Sequence, residues 1–298
     1  MEDLRLSIGL IGFVSVAIYM AMLRLLEGRS KIFLDIIAFL IVILIGAYVR
    51  TVWGQLWIVR WIPLSSVIVL SNWFPPLLAA LAATVWLRLE PSTVARRLPI
   101  IGLIVASAIY SVTYFIPKNP PECDNRWTSG LGPAISWPVC LQTTKQTCSA
   151  AAAATILNTL NIETSEQEMA RLCLTKSGTT WLGLYHGLSI KLRGSDFRVK
   201  FFEGSISELV ELAKVHPVLL CCELDATVAE MVPAYVQEGG WIPGTAHSVV
   251  YFGELNGVHV IGDPSRGYEG WSSRDLNTLW TGAGLQIAQY SPDGSLIE

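Results

Sequence analysis

The sequence predicts two parts of different class: an α-helical region of about four membrane crossings, then an α+β domain with its helices first and an antiparallel sheet afterwards. Three observations carry this. The apolar excess behind a mean hydropathy of +0.46 lies almost wholly before Pro117. Charge changes sign at the same place. Residues 1–117 hold nine Lys/Arg against five Asp/Glu, a net of +4, and the remainder holds twelve against nineteen, a net of −7. The pattern changes as well, from unbroken apolar runs to helical and then alternating segments. The expected boundaries are a transmembrane helical domain at 1–117, a connector at 118–138 and a globular domain at 139–298.

The spans come first. Residues 6–23 and 32–49 are each near the lower length limit for a crossing, about 18 residues. Residues 62–87 are interrupted by "SNWFPP", which reads as one kinked or broken crossing, with a re-entrant piece plus a span as the alternative. Residues 98–116 make a fourth. The opening "MEDLR" is acidic, unlike the basic start of a cleaved signal peptide. Arg24, Arg29 and Lys31 follow the first span and Arg88, Arg96 and Arg97 the third, against Arg50 and Arg60 between. Four crossings with the first and third loops cytoplasmic put everything after Pro117 on the extracytoplasmic side of a bacterial inner or plasma membrane. Asp35, the one carboxylate inside a span, is expected to reach the interface.

The six cysteines fit that placement. Cys123 and Cys140 flank a Pro/Gly/Trp-rich stretch and are disulfide candidates in an oxidising compartment. Cys173, Cys221 and Cys222 lie in apolar runs and read as small core residues. No Lys/Arg stripe suits nucleic acid, and no Gly-x4-Gly-Lys-Ser/Thr loop suits a nucleotide.

In the second half "SAAAAATILNTLNI" reads as a helix, "TSEQEMARLCL" as a second one capped by Thr164 or Ser165, and "WLGLYHGLSIKL" as a third. "FRVKFFEG" alternates like a strand and "SISELVELAKV" is a short capped helix. "HPVLLCCEL", "HSVVYFGEL" and "GVHVIGDP" are strands, the last two joined by Asn256–Gly257 as a hairpin. Glu166, Glu168, Glu208 and Glu211 read as solvated helix faces.

The candidate chemistry centres on Cys148. At the start of a helix, free N–H groups and the dipole favour its thiolate, and the alanines behind it allow close packing. Gln142, six residues upstream, can return its amide beside the Cys148 N–H as a second oxyanion donor. His247 at one end of the hairpin is the candidate base, and Asp263 at the other the candidate orienting carboxylate. His186, His216 and His259 read as core histidines, and Trp241, Trp271 and Trp280 as core or rim packing, with a wall of the cleft as the alternative for Trp241.

"LQTTKQTCSAAAAATIL", "SGTTWLGL", "AHSVVYF", "GVHVIGDPSRG" and "LWTGAGLQI" occur in the order found in the bacteriocin-processing, double-glycine-leader peptidases. Residues 138–290 resemble that family, which belongs to the papain-like cysteine proteases. The resemblance implies Cys148 as nucleophile, His247 as general base, Asp263 as orienting residue and Gln142 as oxyanion donor, with no cofactor. The family usually has glycine after the nucleophile, where this chain has Ser149. Its best-known members are cytoplasmic heads of ATP-driven exporters, whereas here the charge pattern puts the head on the far side.

The expected partners are therefore a polypeptide substrate, exported or membrane-delivered, and the lipid bilayer. Rival readings of the same residues are a thiol amidohydrolase or acyltransferase, a silent leader-binding module serving a transporter, and a zinc site of Cys148, His247 and Asp263. No short-spaced ligand pair supports the zinc site.

Overall fold

Long apolar runs rich in Leu, Ile and Val set the first part of the chain. A computed structural model describes residues 2–89, 94–113, 120–132, 136–291, 293 and 295–297. It divides into two compact units, Met1–Ile116 and Pro117–Glu298.

The first unit holds α1 (Glu2–Leu26), α2 (Lys31–Thr51), a 3-10 turn (Leu56–Arg60), α3 (Val67–Leu70), α4 (Phe74–Arg88) and α5 (Val94–Thr113). Helix α4 packs against α1, α2 and α5. Phe13 and Phe39 are 72% and 65% exposed, as side chains turned to lipid would be. Among the described residues, three helices are long and apolar enough to cross a membrane: Glu2–Leu26, Lys31–Thr51 and the broken Val67–Arg88. The fourth expected crossing, 98–116, corresponds to α5, whose apolar stretch is Arg97–Tyr110 and whose expected end lies outside the described residues.

The break expected at "SNWFPP" is there, between α3 and α4. Non-helical backbone at membrane depth must find partners inside the protein. Tyr48 supplies them: its hydroxyl donates to the Ser71 carbonyl at 2.6 Å and accepts from the Trp73 N–H at 3.0 Å. Asp35 pairs with Arg88 at 2.6 Å.

The second unit is α+β. It begins with β1 (Arg126–Trp127) and β2 (Cys140–Leu141), then α6 (Cys148–Thr159), α7 (Glu166–Leu172) and α8 (Trp181–Lys191). The remainder is β3 (Phe197–Glu203), α9 (Ile206–Ala213), β4 (Val218–Glu223), α10 (Ala226–Met231), α11 (Ala234–Gln237), β5 (Ala246–Leu255), β6 (Val258–Asp263), β7 (Gly267–Trp271), α12 (Ser273–Leu279), β8 (Trp280–Tyr290) and β9 (Leu296–Ile297). The sheet is antiparallel in the order β3-β8-β4-β5-β6-β7, with β9 against β8.

Ser165, Thr180 and Ser205 cap α7, α8 and α9 as short polar side chains do. Helix α6 is enclosed, with Ser149 through Leu157 all buried, and it packs on β4, β5 and β6. Ile156 and Leu157 each contribute about 1.5–3 kcal/mol by leaving water. Gly187 lets α8 close on the end of α7, because a Cβ there would meet the Cys173 Sγ at 2.3 Å. Leu220, Val249, Tyr251, Ile261, Leu276 and Leu279 form a core between the sheet and α9 and α12.

The bridge expected between Cys123 and Cys140 is not formed, and both are free thiols. Cys140 is buried in β2, where its N–H donates to the Thr155 hydroxyl at 2.9 Å; the Cys123 thiol turns to the Pro121 carbonyl at 3.4 Å. Burial first, and the charge of Glu166 second, raise Cys123 to about 11 and Cys140 to about 12.

Candidate active site

Cys148 is the first residue of α6, and no side chain caps the helix ahead of it. Its opening N–H groups are thus available, with the dipole's partial positive charge behind them. Thr147, where a cap would sit, instead gives its hydroxyl to the Thr144 carbonyl at 3.0 Å.

His247 is the second residue of β5. Its Nε2 lies 3.0 Å from Asp263 Oδ1 at the end of β6, which leaves Nδ1 as the ring nitrogen not held by the carboxylate. The Ser265 N–H and hydroxyl both donate to the same Asp263 oxygen at 2.6 Å. Trp241 stands edge-on to the imidazole with ring centres 5.2 Å apart.

Reaching this arrangement requires an irregularity. The turn at Asn256–Gly257, both at positive φ, pairs Leu255 with Val258. Continued unchanged, that register would set Asp263 opposite Val250, on the other face of the sheet from His247. A bulge between Tyr251 and Gly253 shifts the pairing by one residue, so Val250 opposes Gly262. Asp263 then shares the face of His247. Gly253 has φ +122, a value that favours glycine and so suits it to the bulge.

A buried hydroxyl pair joins the two halves of the site. Ser149 Oγ lies 2.8 Å from Ser248 Oγ, which links α6 to β5 one residue beyond Cys148 and one beyond His247. Gln142 lines the same cleft of about 250 Å³ as Cys148, His247, Asp263 and Trp241. The Gln142 N–H donates to the Pro264 carbonyl at 2.7 Å and its Nε2 to the Thr144 carbonyl at 3.0 Å, while its Oε1 is buried without a partner.

Burial opposes charge on all three groups and is outweighed on each. For Cys148, burial would raise the thiol, but the His247 hydrogen bond and charge, with the Ser248 N–H and the Ser149 hydroxyl, bring it below its ordinary value. For His247, burial would lower the ring, but hydrogen bonds to Asp263 and Cys148 and their charges raise it. For Asp263, burial would raise the carboxyl, but His247 and Ser265 hold it low. Together the directions favour a thiolate, an imidazolium and a carboxylate in line.

His259 is buried between the Tyr251 and Ser273 hydroxyls at 3.0 and 3.1 Å, in keeping with a core role. Among the described residues no group of three or more His, Cys, Asp or Glu side chains has the arrangement of a metal site. Glu166 departs from its expected solvated face and is fully buried. Glu168 pairs with Lys191 at 2.7 Å, and Glu211 with Lys214 at the same distance. Glu208 completes a capping box with Ser205. Neither the Ser149–Ser248 pair nor the Glu166 contact has a cue in the sequence, since both partners are distant in the chain. Gly253 inside an alternating run is the one available hint of the bulge.

Among solved structures, the chain is similar to the peptidase domain of Streptococcus ComA, a bifunctional ABC transporter of a quorum-sensing pathway. The identity is 21%, over 50% of this chain and 96% of that one, with a TM-score of 0.39. It is also similar to a double-glycine-motif protease from an AMS/PCAT transporter, solved in complex with its leader peptide. There the identity is 16%, over 54% and 97% of the two chains, with a TM-score of 0.39. A third is the peptidase domain of Streptococcus mutans ComA, at 20% identity over 50% and 96%, with a TM-score of 0.34. No family model matches the chain, and no curated protein matches it.

Proposed function

We propose that this chain is a membrane-anchored cysteine peptidase that cleaves exported or membrane-delivered polypeptides. The observation that carries the reading is that Cys148, at an uncapped helix start, shares one cleft with His247, whose ring is held by Asp263. The Cys148 thiolate attacks the scissile carbonyl carbon, and the carbonyl oxygen takes the negative charge. The Cys148 N–H and the Gln142 Nε2, turned from the Thr144 carbonyl, donate to that oxyanion. His247 gives its proton to the leaving amine as the C–N bond breaks, forming a thioester. It then takes a proton from water as the water attacks, and the thiolate departs. Asp263 keeps the ring oriented throughout. In this reading α5 makes a fourth crossing and the peptidase unit lies outside the cytoplasm.

A silent peptide-binding module is the second reading, favoured by the Gln142 amide resting on the Thr144 carbonyl rather than open to the cleft. Iodoacetamide at neutral pH separates the two. An enzyme is labelled quickly and only at Cys148; labelling no faster than a free thiol sinks the peptidase. Loss of new peptide termini from the exported proteome of Cys148→Ala cells distinguishes proteolysis from an amidohydrolase or acyltransferase, which would leave them unchanged.

A further inference from the structure

Glu166 opens α7 with 0% of its surface exposed, a rare setting for a carboxylate unless its oxygens are committed. Both are committed to one residue. Oε1 accepts the Thr143 N–H at 2.8 Å and Oε2 accepts the Thr143 hydroxyl at 3.0 Å. Thr143 follows Gln142, whose own N–H is held by the Pro264 carbonyl, next to Asp263. The Gln142 carboxamide, at the wall of the cleft, therefore hangs from a short stretch of backbone fixed on both sides.

The hold extends outward. The Glu166 N–H donates to Asn125 Oδ1 at 3.1 Å, the Cys123 N–H to Gln167 Oε1 at 2.8 Å, and the Asp124 N–H to the Thr143 hydroxyl at 3.2 Å. Residues 123–125, the first turn of α7 and Thr143 make one closed polar ring. The Cys123 and Cys140 thiols border the carboxylate and, being raised, stay neutral beside it.

The geometry points to Glu166 as a positioning residue for the oxyanion donor: by gripping Thr143 it sets where the Gln142 amide meets the reacting carbonyl. This rests on the peptidase reading above. It has a consequence that a purely structural carboxylate lacks. Loss of Glu166 weakens reactions that build an oxyanion and spares those that do not.

Two reagents on the full chain in detergent test it. Iodoacetamide alkylates Cys148 by displacing iodide and forms no oxyanion. The aldehyde acetyl-Ala-Gly-glycinal takes the thiolate at its carbonyl carbon and builds one. In Glu166→Ala the alkylation rate is expected to stay within about 2-fold while aldehyde affinity falls about 10- to 100-fold, short of or equal to loss of an oxyanion donor. Glu166→Gln, whose carbonyl still accepts the Thr143 N–H, recovers most of the affinity. Thr143→Val removes one of the two bonds without a large change of shape and gives the same split at smaller size, which covers the case where Glu166→Ala does not fold. Equal loss with both reagents, or undiminished aldehyde binding, overturns the inference. Wild-type chain that ignores the aldehyde and is alkylated like a free thiol instead removes the peptidase reading, and this inference with it.

Discussion

Helices α4 and α6 both begin without a side-chain cap, and the two units treat that shared condition in opposite ways. At α4 the donors are eliminated or satisfied. Pro75 and Pro76 carry no N–H, the Trp73 N–H goes to the Tyr48 hydroxyl, and the Phe74 N–H reaches Asn72 Oδ1 at 3.4 Å. At α6 the position that would cap turns its hydroxyl backward, and a thiol-bearing residue opens the helix. Bare donors inside a bilayer are a liability; bare donors beside a nucleophile are a resource. The contrast marks the start of α6 as a place where the fold forgoes local satisfaction.

The largest effect should come from the reactive end. His247→Ala removes the partner that holds the Cys148 thiol below its ordinary value, and iodoacetamide labelling at pH 7 should slow by about 10-fold or more as the thiolate fraction falls. An unchanged rate would mean the helix start alone ionises the sulfur. The pH profile sharpens this. Labelling should fall only as pH drops through the lowered value of Cys148. Peptide turnover should also fall as pH rises through the raised value of His247, where the proton for the leaving amine is lost. Labelling that tracks turnover on the alkaline side would contradict the assignment.

At the quiet end, Tyr48→Phe strands the Ser71 carbonyl and the Trp73 N–H, and should destabilise the membrane unit by about 1–3 kcal/mol in detergent unfolding, with Cys148 labelling unchanged. Gly253→Ala should cost about 1–2 kcal/mol, because alanine is strained at φ +122, and should lower turnover by loosening Asp263 from His247. Ser149→Gly should have the smallest effect, about 1 kcal/mol in stability, with most of it absent when Ser248 is already alanine.

Much of this arrangement was legible in the chain. Local chemistry announced the Asn256–Gly257 turn, the Ser165 and Ser205 caps and the proline-marked break before α4. The strands β7 and β8 were not read, because Gly282 and Gly284 dilute the alternation of "WTGAGLQIAQY" and β8 takes its place in the sheet from β3 and β4 on either side. Cys148, Gln142, His247 and Asp263, the residues singled out from the sequence, line one cleft. What the sequence misjudged was solvent. An acidic residue in a first helical turn reads as a surface charge, and only tertiary packing turns Glu166 inward onto Thr143. The Cys123–Cys140 pairing failed for a related reason: strand pairing and packing, not the thiols, fix residue 140.

The single extra residue in the β5–β6 hairpin makes the length of that hairpin an odd-or-even matter. Excising Phe252 alone would close the bulge and leave Val250 opposite Gly262, so the carboxylate would stay on the face of the imidazole, whereas excising a second residue would turn it to the other face. One residue can therefore be lost here without parting the pair, and the loss of two should be punished, whichever amino acids are involved.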